Sequence, residues 1–123
     1  MNTVLLYIAS ALSFIWGIAH LIPTKNVVKN FGEISKDNRR IITMEWINEG
    51  ATLIFVGILT GVVTCIDPDM WLAKIIYLLV ALFLIILAFI SLFTGFRVHF
   101  LPFKLCPFIF GISALLIVLA IFL

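Results

Sequence analysis

Four stretches of this sequence are long and apolar enough to cross a bilayer, and that leaves few possible folds. They run from about Thr3 to Ile22, Ile41 to Ile66, Trp71 to Phe96 and Leu105 to Leu123. In hydrocarbon no backbone N–H or C=O can stay unpaired, so only helices or a closed barrel survive. The segments are too long and too uniformly apolar for tilted strands, and they lack the alternation of a barrel. The expected fold is all-α: a four-transmembrane-helix bundle in one domain, residues 1–123. Composition agrees, with 64% hydrophobic residues and a mean hydropathy of +1.29. A soluble domain of 123 residues has too little interior to hide that surface.

The connections between spans differ in charge. The loop 23–40 carries Lys25, Lys29, Lys36, Arg39 and Arg40 against Glu33 and Asp37. The third connection carries Arg97 and Lys104 without an acid, and the second carries Asp67 and Asp69 without a base. The positive-inside rule makes the basic side cytoplasmic and both termini external. The start, "MNTVLLYIAS", has no basic n-region and reads as a retained span rather than a cleaved signal. A net charge of +2, located in loops, argues against nucleic acid as a partner.

Two connections read as more than linker. Val27, Val28, Phe31 and Ile34 have the spacing of a short helix lying on the membrane surface, with lysines toward anionic headgroups. "RVHFLPFKLCPF" reads as an interfacial hairpin dipping aromatic rings into the headgroup layer. Cys65 and Cys106 fall at opposite ends of the spans, so no disulfide is expected.

The second span holds a feature that does not belong in lipid: "TMEWINEG" places Glu45 and Glu49 inside it. Counting from Arg40 at ~1.5 Å per residue puts Glu45 roughly 7 Å deep and Glu49 roughly 13 Å deep, near mid-membrane. Two central charges cost about 5–7 kcal/mol, while about a dozen Leu, Ile, Val and Phe residues contribute roughly 4–7 in favour. The span is therefore near balance alone, and its acids are expected to face the bundle interior. Glu45, Asn48, Glu49 and Thr52 fit within an arc of roughly 100° on one helix face. Ser10, Ser13, Gly17 and His20 make a matching stripe on the first span, where small residues allow close approach. Gly57 and Gly61 extend that possibility along the second. Trp16 and Trp46 flank this set, and Arg97 enters from the end of the third span. The third span is nearly featureless and is expected to face lipid.

These residues support several readings. In the first, Trp16, His20, Glu45, Trp46, Asn48, Glu49 and Arg97 line a pocket in the cytoplasmic half, suited to a lipid or quinone-like ligand. A neutral carboxyl there can donate a hydrogen bond. With His20 as its proton partner, the pair Glu49 and His20, or Glu45, is also a candidate for acid/base catalysis. In the second, Glu49 alternates between a proton and a cationic substrate, as in proton-coupled transport. The small multidrug transporters are similar in size and span count, although their glutamate lies in the first span. In the third, the polar contacts are structural and the chain is an interaction subunit without a ligand. A metal site is not expected, because the repeated Glu-x-x-His pairs of di-iron bundles are missing.

"WGIAHLIP", "MEWINEG" and "LIFVGIL", taken in order, resemble the DoxX-like group of small four-span bacterial membrane proteins. Gly17, His20, Glu45, Gly50 and Gly57 carry the resemblance, which covers roughly the first half of the chain. It implies a bacterial inner-membrane location. It also implies a link to quinone-using oxidoreductase complexes, with the chain as a small subunit or a homo-oligomer.

Overall fold

The computed structural model describes all residues, 1–123. It is all-helical, with α1 (Thr3–Leu21), α2 (Thr24–Lys29), α3 (Lys36–Ile66), α4 (Trp71–Phe93) and α5 (Leu101–Phe122), plus a 3-10 turn at Gly95–Arg97. Four of these, α1, α3, α4 continued through the 3-10 turn, and α5, are long and apolar enough to cross a membrane.

Local chemistry sets the helix ends. Asn2 Oδ1 accepts from the Leu5 N–H at 3.3 Å and caps α1. Ser35 Oγ accepts from the Asn38 N–H at 3.1 Å, so α3 begins at Lys36, five residues before the apolar run at Ile41. That first turn is polar, and hydropathy alone does not register it. Helix α5 begins at Leu101 where a hairpin was expected. Pro102 sits in its first turn, where a missing N–H costs nothing, and Pro107 is carried inside the helix. The surface helix of the first loop is present, with Val27 and Val28 buried, but it stops short of Ile34. Gly32 follows at φ +76°, a conformation that favours glycine and turns the chain toward α3.

The tightest pairing is α1 on α3. Ser10 Oγ donates to the Gly57 carbonyl at 2.7 Å. A Cβ on Gly57 would lie 2.7 Å from the Phe14 nitrogen, and one on Gly17 would lie 2.7 Å from the Ile54 nitrogen. These backbones approach as closely as glycine permits, as the small-residue stripes predict. Helix α5 packs between α1 and α4, with Leu6, Tyr77, Leu84, Phe110 and Ile117 fully enclosed. Helix α4 therefore does not simply face lipid: Ala73, Tyr77, Val80, Ala81 and Leu84 form a buried stripe against its neighbours. The uniform hydropathy of that span hid the stripe, because lipid and core select the same residues.

The helices α3 and α4 meet only sparingly. The Thr64 and Tyr77 hydroxyls, 2.9 Å apart, tie them near the Asp67–Met70 turn. Beyond that tie a seam opens between them. The N-terminus, that turn and the end of α5 share one end of the bundle: the Met1 ammonium lies 3.6 Å from Asp69, and the Asn2 N–H donates to the Ala120 carbonyl at 3.0 Å. The basic loop and the Thr94–Phe100 turn share the other.

Candidate functional site

At the basic end, α1, α3 and α5 converge on one aromatic stack. Trp46 lies flat against His20, with ring centroids 3.8 Å apart and planes 16° from parallel. Its Nε1–H donates to the His20 carbonyl at 2.7 Å. That carbonyl is one of the last of α1 and has no partner in its own helix, so Trp46 caps α1 as well as packing on it. Phe103 of α5 meets Trp46 edge-on, with ring centroids 5.5 Å apart.

This stack divides the expected single pocket into two cavities. The first, of about 210 Å³, is walled by Trp16, His20, Trp46, Phe103 and Cys106, with Pro23 and Phe100 at its rim. Two buried nitrogens here are poorly satisfied: Trp16 Nε1 meets only the Cys106 thiol, and His20 Nε2 has only the long approach to Glu49. Indole N–H can only donate, and burying it unpaired is unfavourable. The second cavity lies on the far side of Trp46, in the α3–α4 seam. It measures about 440 Å³ and contains Glu45, Asn48, Glu49 and Thr52 opposite Phe83 and Leu87. His20 Nε2 and Glu49 Oε2 approach to 3.5 Å through the partition.

That contact also sets the level of Glu49 in the bundle. The 19 residues of α1 span ~28 Å, close to the hydrocarbon thickness, and His20 is in its last turn. Glu49 is therefore level with the last turn of α1, at the basic end of the bundle. The middle of the bundle is near the Ser10–Gly57 contact. The 31 residues of α3 span ~46 Å, more than the ~30 Å of a hydrocarbon layer. Its first ten or so residues project from the bundle, Glu45 among the last of them. Glu45 and Asn48 are exposed, and Glu49 is intermediate.

Of the seven residues singled out in the sequence, Trp16, His20 and Trp46 meet in the first cavity, and Glu45, Asn48 and Glu49, again with Trp46, in the second. Arg97 joins neither. It is exposed in the 3-10 turn and makes no ion pair. Sequence reasoning missed Phe103 and Cys106. Both lie in the first two turns of α5, which begins at Leu101 where a hairpin was expected, so the early helix start is what brings them to the cavity. No three His, Cys, Asp or Glu side chains converge as a metal site would require. Comparisons with protein-family models, curated proteins and solved structures give no match to this chain.

Proposed function

We propose that the protein is a multi-pass bacterial inner-membrane protein, with both termini outside, whose aromatic cavity binds the headgroup of a lipidic or quinone-like ligand. One observation carries this reading: Trp16 Nε1–H, buried in the wall of the cavity, has no acceptor but the Cys106 thiol, a weak one. A ligand oxygen that displaces the thiol would give the indole a stronger acceptor. The flat His20–Trp46 stack favours a planar group as the neighbour of that oxygen.

Size supports an amphiphile. Sites for whole drug-sized ligands measure about 300–1,000 Å³. A cavity of about 210 Å³ takes a ring and leaves a tail outside, in the bilayer. The DoxX-like resemblance leans the same way, toward quinone and toward service as a small subunit of a membrane oxidoreductase complex.

The test is a titration of the purified protein with a short-chain benzoquinone, read by tryptophan fluorescence. Saturable quenching is expected in the native protein. In Trp16→Phe, which keeps the ring and removes the N–H, affinity is expected to fall about tenfold, the loss of one buried hydrogen bond. Equal affinity in the two proteins would count against the reading.

A further inference from the structure

The α3–α4 seam has a graded character that the aromatic cavity lacks. At its basic end it holds two carboxylates one helical turn apart, Glu45 and Glu49, in a space of about 440 Å³. Farther along, past Thr52 and Phe83, the same seam continues as a second groove of about 330 Å³, lined by Val56, Leu59, Ile76 and Val80. The two grooves share Thr52 and Phe83, so they form one track, acidic at the basic-loop end and apolar beyond it. The acids have little internal compensation. The one basic group near Glu49 is the His20 imidazole at 3.5 Å, and Glu45 has no ion pair.

We propose that this seam is a binding site for a single-chain amphiphile with a cationic amine head. The ammonium sits between Glu45 and Glu49, and the hydrocarbon chain lies along Val56, Leu59 and Val80. Charge complementarity selects this occupant. A second copy presenting the same seam would set carboxylate against carboxylate, which like charges oppose. A divalent metal would find two carboxylates and no third ligand. Trp46 and Phe83 add aromatic surface of the kind that attracts an organic cation. The site shares the Trp46 wall with the aromatic cavity but opens on its opposite side, into the α3–α4 seam.

The experiment measures binding of radiolabelled dodecyltrimethylammonium to the full chain in phosphatidylcholine nanodiscs, after subtraction of empty discs. Saturable binding is expected, displaced by dodecylamine and not by dodecanol. The Glu45→Gln/Glu49→Gln double variant is expected to bind about tenfold more weakly or worse. Leu79 also lines the apolar groove, so Leu79→Trp crowds that end with both charges intact and is expected to weaken binding too, which keeps the proposal testable should the double variant fail to fold. Binding indistinguishable from empty discs, equal displacement by dodecanol, or affinity unchanged in both variants would overturn it. So would cross-linking of a Thr52→Cys variant to another polypeptide in cell membranes, since the seam would then be a protein interface.

Discussion

Trp46 carries the most structural roles of any single residue. It caps α1 through the His20 carbonyl, stacks on the His20 ring, receives Phe103, and forms part of both cavities. Trp46→Phe keeps most of the packing and loses the hydrogen bond. It should lower stability by about 1 kcal/mol, seen as a reduced thermal midpoint in detergent. Glu49→Gln should behave differently. Its contact with His20 is at the outer limit of a hydrogen bond, and interhelical polar contacts contribute about 0.6 kcal/mol on average. Its thermal midpoint should stay within the scatter of repeated melts, whereas a substantial fall would show that the pair holds the bundle together. The types of residue in this region were legible in the sequence: a tryptophan, a histidine and two acids on facing stripes. Their division between two cavities was not. That division depends on the rotation of one indole ring, which spacing does not encode.

Among the helices, the pairing of α1 with α3 was readable because it is steric. Glycine and serine at helical intervals mark where two backbones can touch, and Gly17, Gly50 and Gly57 do so. Gly57→Ala would drive a methyl group against the Phe14 backbone and the Ser10 carbonyl, so it should destabilise the protein by roughly 1–3 kcal/mol. Gly111→Ala in α5 meets nothing within 4 Å and should be neutral or slightly stabilising. Parallel melts of the two variants check both outcomes, and equal effects would contradict the close α1–α3 contact. The ends of α3 and α5 were harder to read. Hydropathy reports only the apolar length of a helix, so the polar turn from Lys36 and the proline-bearing turn from Leu101 fell outside the expected spans.

As a whole molecule, the chain is a bundle closed on three sides and parted on the fourth. Strong packing links α3 to α1, α1 to α5 and α5 to α4, and the α3–α4 seam is left open apart from the Thr64–Tyr77 tie. The number of spans could be read from the sequence because lipid imposes it on every residue. The seam could not be, because an open groove and a filled interface use the same apolar residues. The proposed orientation predicts that a reporter active only in the cytoplasm, fused after Leu123, is silent, while one inserted in the basic loop near Glu33 is active. The reverse pattern would invert the topology.

The central claim is that the cavity between Trp16 and Trp46 binds the headgroup of a membrane amphiphile. The direct measurement is mass spectrometry of the organic extract from protein purified out of its membrane. The account predicts one amphiphile enriched over bulk lipid in the native protein, and its loss from folded Trp46→Ala and Trp16→Phe variants. An extract matching bulk lipid in composition, the same for native protein and variants, would contradict it.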